Sequence, residues 1–343
     1  MIAPLGEAQD TRTDFPLQVE HWSEPRVAAL RHQEGLDQVV AGATGEIDGF
    51  RRLMHWARSQ FPVGDPEPYP PSNGVGLLAE IRGGRTGGFC GQYSYLLADA
   101  LKSFGHWSVR FVELENEAGD GHFAVEVWST EAGRWVLLDP TYDVLYTGPD
   151  GAPLSALDLH AALLADRDSE VTAVEGSPPP KDGKRVADLP RRGLEQYRRL
   201  AVSLRSDNAR LDTPPTLADR ERTFLRWDGP RPDGSPDDGL RFRHLNFTLG
   251  GARVSDFYPP VGQVHCLVDG MKDGVATVRF ETRGTWPHFI GYQVRIDGGV
   301  WRRTAATVEW TIPQDGTMHR LEVAAVNAAG LAGPVFGLTA RRG

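Results

Sequence analysis

Cys90, His122 and Asp139 follow one another at intervals of 32 and 17 residues. Together they supply the groups that a thiol nucleophile needs. A cysteine attacks as its thiolate, so it needs surroundings that lower its pKa, a base within reach and donors for the oxyanion. A helix start provides the first, because its unpaired N–H groups and dipole favour an anion. His122 is the candidate base, and Asp139 is the acid that would hold its imidazole in one tautomer. Such a set attacks an amide or ester carbonyl and passes through an acyl thioester. For the oxyanion, the backbone N–H of Cys90 is one donor, and Gln60, Asn73 and Gln92 are side-chain candidates.

The elements around these residues are those that the chemistry requires. Tyr93, Leu96, Leu97, Ala100, Leu101 and Phe104 recur at helical spacing, which predicts an amphipathic core helix over residues 90–104 with Cys90 at its start and Gly105 just past its end. Residues 108–114, 122–128 and 134–138 are rich in Val, Phe, Trp and Leu and predict three strands. A hairpin with His122 directly opposite Asp139 would pair Val125 with Val136 and Val127 with Arg134. Its turn would fall inside the polar stretch Ser-Thr-Glu-Ala-Gly at residues 129–133.

The flanking residues add to this. GGFCGQYSYLLADALKSFG, then GHFAVEVW, then RWVLLDPTYD resemble the transglutaminase-like superfamily, a branch of the papain-like thiol enzymes. The family pattern has a cysteine opening a hydrophobic helix, a histidine opening a strand and W-x-x-x-D-P closing the next. The resemblance is strong over about residues 75–160 and implies catalytic roles for Cys90, His122 and Asp139. It implies an α+β fold, with helices packed on an antiparallel sheet. No feature marks the calcium sites of the animal enzymes. The R-x-GGFC motif also resembles arylamine N-acetyltransferases, which share the triad. The expected function is acyl transfer from amide bonds, with hydrolysis favoured because water is always present. The alternatives are a catalytically silent scaffold that binds a protein or glycan, and an acetyltransferase. The expected substrate is a peptide, protein or small amide.

Farther upstream, residues 22–60 read as helical, with a second helix at 47–60, and residues 74–82 as a short helix. Five prolines between them, in FPVGDPEPYPP, predict an extended loop. GGRTGG (residues 83–88) lacks the P-loop lysine and reads as a place of close backbone approach to the cysteine or substrate. Residues 154–226 show helical periodicity in pieces broken by SPPPKDGK (residues 177–184), and Arg191, Arg192, Arg198 and Arg199 read as an exposed helix face. DGPRPDGSPDDG (residues 228–239) has the composition of a linker, and its Asp cluster lacks the EF-hand order. Short strands at 263–268, 275–281, 289–296, 306–310 and 318–326 then predict a small β-sandwich of the immunoglobulin or fibronectin kind. Trp286, Trp301 and Trp310 fit its core better than a sugar-stacking face, and Cys266, in the apolar run QVHCLV, reads as structural. The expected division is a flexible tail at 1–14, a transglutaminase-like domain at 15–245 and the sandwich at 246–343.

Composition narrows the classes. Of 343 residues, 40% are hydrophobic and 24% charged, which supports a folded core. The net charge of −9 argues against a general nucleic-acid binder. No run of 18 apolar residues is present, so no membrane partner is expected. No H-E-x-x-H or paired-cysteine spacing occurs, so neither metal nor cofactor is expected. Two cysteines make no disulfide framework, and the absence of a leader-like segment makes the cytoplasm the default compartment, with an extracellular one as the alternative for a chain whose leader has been removed.

Overall fold

The computed structural model describes residues 2–4, 15, 17–20, 23–105, 107–176, 194–230, 234, 242–259, 261–283 and 286–343. Two compact units divide the chain: Leu17–Tyr258, and a second that joins Met1–Pro16 to Pro259–Gly343. The first strand, β1 (Ile2–Pro4), belongs to the second unit. The fold is α+β.

The larger unit opens with five helices: α1 (Pro25–Gln33), α2 (Leu36–Val39), α3 (Glu46–Arg58), α4 (Gly74–Arg82) and α5 (Cys90–Lys102). The strands β2 (Val109–Glu115), β3 (Gly121–Ser129), β4 (Arg134–Asp139) and β5 (Val144–Thr147) follow, then α6 (Ala156–Leu164) and β6 (Thr172–Glu175). The unit closes with β7 (Arg199–Ser203), α7 (Leu217–Thr223), β8 (Phe224–Trp227), β9 (Leu249–Gly251) and α8 (Val254–Phe257). One eight-stranded sheet runs β6-β5-β4-β3-β2-β7-β8-β9, antiparallel except for its last pair. No helix among the described residues is long and apolar enough to cross a membrane.

α5 is the centre of this unit. Tyr93, Leu96, Leu97, Ala100 and Leu101 share a core with Phe50 and Leu53 of α3, Leu77 of α4 and Val125, Val127, Val136 and Leu138 of the sheet. The helix is not amphipathic in the expected sense, because its polar residues are buried as well. They are satisfied rather than solvated. Asp99 accepts from the Gly74 amide at 2.8 Å, and Lys102 Nζ donates to Glu20 at 2.6 Å and to Asn208 Oδ1 at 2.7 Å. A buried charge is tolerable only when so paired.

Three expectations change. Residues 193–205 do not form one helix: a short helical turn ends at Arg198, and β7 then runs between β2 and β8, with Leu200, Ala201 and Val202 buried. A short apolar run inside a sheet covered on both sides cannot be told from a helix by periodicity. Arg199 is therefore no exposed helix residue; it is buried 3.2 Å from Glu115, while Arg198 pairs with Glu117 at 2.6 Å. Arg191 and Arg192, residues 177–184 and the Asp cluster, apart from Gly234, lie outside the described residues. The boundary expected at 245 is displaced as well, since Leu249–Gly251 extends the sheet and the unit ends at Tyr258. Its closing segment is held by a buried pair on the sheet face opposite α5. Arg110 donates to Glu126 at 2.6 and 2.9 Å and to the Phe257 carbonyl, and lies between the rings of Trp135 and Tyr258. Glu126 in turn accepts from the Tyr258 hydroxyl and the Ala156 amide, both at 2.8 Å.

The smaller unit is all β. Its strands are β10 (Gln263–Lys272), β11 (Val275–Arg283), β12 (Phe289–Ile296), β13 (Arg302–Thr304), β14 (Thr307–Thr311), β15 (Met318–Asn327) and β16 (Phe336–Arg341), together with β1. They form a five-stranded sheet, β1-β16-β15-β12-β13, and a three-stranded one, β10-β11-β14, all antiparallel. β10 packs on β15 and β16. Trp310 and Trp286 are buried in this unit, and Trp301 carries the Arg295 guanidinium 4.8 Å above its ring. Ile2–Pro4, expected to be loose, pairs along β16. Residues 5–14 lie outside the described residues.

The Arg110–Glu126 pair gives a test of this packing. Glu126→Ala leaves a buried guanidinium unpaired and should cost about 3–5 kcal/mol in urea unfolding followed by tryptophan fluorescence. A loss under about 1 kcal/mol would mean that solvent reaches the pair.

Candidate active site

Cys90 is the first residue of α5, and Phe89 before it has no side-chain acceptor to cap the helix. The first-turn N–H groups are thus left for whatever approaches the sulfur. Gln92 turns back instead, its Oε1 accepting from the Phe89 amide at 3.1 Å. Ahead of the cysteine, the glycine-rich loop lies against the proline-rich one: Gly64 donates to the Gly88 carbonyl and Gly87 to the Asp65 carbonyl, both at 2.9 Å. A Cβ on Gly87 would stand 2.5 Å from the Asp65 oxygen, which is why glycine is needed there. The close approach expected of GGRTGG is therefore made to another loop, which fixes the entry to α5.

α5 is locked to the strand that carries the histidine. Ser94, one turn beyond Cys90, donates to the Phe123 carbonyl at 3.0 Å. Tyr93 donates to the Phe61 carbonyl at 2.6 Å and accepts from Arg58 at 3.2 Å, while Arg58 Nε donates to the Thr141 carbonyl at 3.1 Å. α3, α5 and the turn after β4 are joined through these few bonds.

The β3–β4 register differs from the expected one by two residues. Val125 faces Leu138, Val127 faces Val136 and Ser129 faces Arg134. The turn is set by Gly133 at φ 63° and by the Ala132 amide donating to Ser129 Oγ at 3.0 Å. Glu46 of α3 holds it from outside, accepting from Ser129 Oγ at 2.8 Å and the Glu131 amide at 2.9 Å. A shift of two leaves every side chain on its expected face. His122 and Asp139 are consequently diagonal rather than directly opposite, a separation that long side chains still span. His122 Nε2 lies 2.7 Å from Asp139 Oδ2.

Asp139 is fully buried, and both of its oxygens are occupied. Oδ1 accepts from the Thr141 and Tyr142 amides at 3.1 and 3.3 Å, and Oδ2 accepts from His122 and, at 3.4 Å, from the Tyr197 hydroxyl. Tyr142 stacks on the imidazole, with ring centroids 5.1 Å apart. Burial works against a charge on His122, but the Asp139 carboxylate, its hydrogen bond and the Cys90 side chain outweigh that penalty and push the imidazole up to about 10. Cys90 is within hydrogen-bonding reach of this ring. With Nε2 engaged on Asp139, Nδ1 is the nitrogen left for the sulfur. Cys90 itself is half-buried, so the site is open to a substrate.

The side-chain oxyanion candidates are placed differently. Gln60 donates to the Trp56 carbonyl and accepts from Arg82, and Asn73 caps α4 and donates to the Leu211 carbonyl. Gln92 Nε2 is sealed from solvent without a hydrogen bond among the described residues. Cys266 is remote in sequence and lies in β10 of the other unit, where burial pushes its thiol up to about 12. Among the described residues, no group of three or more His, Cys, Asp or Glu is arranged for a metal ion. Tyr197 and the Arg58–Tyr93 link were not anticipated. Tyr142 lay in a quoted motif without an assigned role, and Tyr197 is 58 residues from its partner with no local signal.

A half-exposed thiol at a helix start, beside an imidazole anchored by a buried carboxylate, defines a cysteine-dependent enzyme scaffold. The family comparison agrees: residues 34–140 match the transglutaminase-like superfamily, and the chain carries a domain of that superfamily there. The matched span contains Cys90, His122 and Asp139. None of the curated proteins compared with this chain matches it.

The raised His122 pKa has a consequence for stability. The bound proton contributes fully below the ordinary histidine value of about 6.5 and is lost as pH rises through about 10. Asp139→Asn should lower the His122 titration midpoint, read from its ring resonances, toward the ordinary range. The stability gap between native chain and variant, from urea unfolding, should be largest at pH 6 and shrink between pH 7 and 10. A gap that grows with pH would contradict the assignment.

Proposed function

We propose that the transglutaminase-like domain hydrolyses an amide bond of a peptide, protein or small amide through an acyl thioester on Cys90. The observation that carries this reading is the single imidazole of His122, held by Asp139 on one nitrogen and interacting electrostatically with Cys90. Cys90 Sγ adds to the carbonyl carbon, and the oxygen takes the negative charge toward the Cys90 backbone N–H. The C–N bond breaks as His122 passes its proton to the departing amine. His122 Nδ1 then accepts a proton from water as the new C–O bond forms. The C–S bond breaks, the acid leaves, and thiolate and imidazolium are restored. Asp139 and Tyr197 keep their places throughout, so the imidazole changes charge without turning. Water is the favoured acceptor because it always reaches a half-exposed sulfur.

Intact mass spectrometry with a panel of amide and ester donors tests this. An acyl adduct on Cys90 is expected, none on Cys90→Ala, and His122→Ala should slow acylation by about 10²–10⁴-fold. Iodoacetamide at pH 7 should alkylate Cys90 and spare Cys266, whose buried thiol is pushed up to about 12. Equal labelling of the two cysteines, or undiminished acylation of His122→Ala, would remove the basis of the proposal.

A further inference from the structure

Cys90 offers an oxyanion one backbone N–H. A second donor has to reach the first turn of α5 from outside the helix, carry a hydrogen that is not already committed, and stand open to the substrate. Tyr69 meets these conditions. Its hydroxyl would stand 3.0 Å from a Cβ on Gly91, the second residue of α5. Successive Cα atoms are about 3.8 Å apart, so the hydroxyl lies beside the turn that carries the sulfur, within about 8 Å of the Cys90 Cα. Tyr69 is 41% exposed, so a ligand can reach it, and it makes no hydrogen bond among the described residues. Tyr95 and Arg220 are in electrostatic range of the phenol without bonding to it.

The proline-rich loop holds this side chain firmly. Pro68 and Pro70 flank Tyr69 and fix φ on both sides of it, and a residue that precedes proline is itself kept out of helical backbone. Pro66 and Pro70 are buried. Thr86 Oγ1, four residues before Cys90, donates to the Pro68 carbonyl at 2.6 Å. The Gly64–Gly88 and Gly87–Asp65 bonds tie the same two loops farther along. The segment that leads into α5 thus also anchors the loop that carries the phenol. Gly91 completes the arrangement, because any other residue would press a Cβ against the hydroxyl, and glycine leaves the approach open.

We propose that Tyr69 is the second oxyanion donor at Cys90; this deepens the amide-hydrolysis reading and rests on it. As Sγ bonds to the carbonyl carbon, the π pair of the C=O bond moves to oxygen, and the Tyr69 O–H and the Cys90 N–H both donate to that oxygen. No proton is transferred in this contact. The pair returns to re-form C=O as the bond to the leaving group breaks. Loop and helix hold the hydroxyl in place before the substrate arrives, and such prior placement is what gives an oxyanion donor its effect.

The test acylates the full chain with p-nitrophenyl acetate and times the release of p-nitrophenolate, with Cys90→Ala as the blank. Removing an oxyanion donor typically costs about 10²–10³-fold, and Tyr69→Phe, which keeps the ring and loses only the hydroxyl, should slow acylation at least about 10-fold. Iodoacetamide alkylates by displacing iodide and builds no oxyanion, so its rate at Cys90 should match that of the native chain. Gly91→Ala favours the helix but crowds the hydroxyl. It should slow acylation of the native chain and add no further loss to Tyr69→Phe, as expected of two changes acting on one group. A smaller loss in Tyr69→Phe, an equal loss of alkylation, or a Gly91→Ala effect that does not depend on the hydroxyl would each overturn the assignment while leaving acylation of native Cys90 standing. A native chain that is not acylated at all would end the hydrolysis reading, and the role of Tyr69 with it.

Discussion

The buried carboxylate of Asp139 is the constraint on which the site depends. Out of reach of water, an ionised carboxylate must have its oxygens satisfied by protein. The partners come from three separate parts of the chain: His122 at the head of β3, Tyr197 just ahead of β7, and the amides of the turn that leaves β4. Satisfying that one group therefore fixes the relation of three segments and holds the imidazole in a single orientation. The turn amides do more than neutralise. By accepting from Thr141 and Tyr142, Asp139 brings Tyr142 against the imidazole face and places the Thr141 carbonyl where Arg58 reaches it. Electrostatics at the histidine and the packing of α3 are thus parts of one arrangement.

Much of this was legible in the residues. The periodicity after Cys90 marks a core helix, and Val, Phe and Trp runs mark the strands, because their burial against one another leaves a regular pattern. The face on which His122 and Asp139 project was legible too, since period-two alternation survives a register shift of two. The register itself was not. It is decided by Gly133 at positive φ and by Glu46, which reaches the turn from α3, 83 residues away from Ser129. Contacts of that kind leave no trace in local sequence. The same holds for Tyr197 and for the Arg110–Glu126–Tyr258 assembly, where each residue alone looks like an ordinary surface or sheet position. β7 was obscured for a different reason: Arg198 and Arg199 at its start suggested a solvated helix face, while Arg199 is buried in an ion pair with Glu115.

The burial of α5 explains how such a site can be both rigid and accessible. Twelve of its thirteen residues are buried, and the exception is Cys90. A nucleophile on a loop would sample many positions and lose the advantage of a preset attack geometry. Here the sulfur stands at the end of a helix clamped by the core, by Ser94 on β3 and by Tyr93 on the preceding loop. Charge burial does part of the clamping, because Lys102 and Asp99 at the far end of the helix are tied to Glu20, Asn208 and Gly74. Turning or sliding the helix would strand those charges without partners, at a cost of several kcal/mol. The polar residues that spoil the amphipathic pattern of α5 are thus what keeps its first residue in place opposite the imidazole.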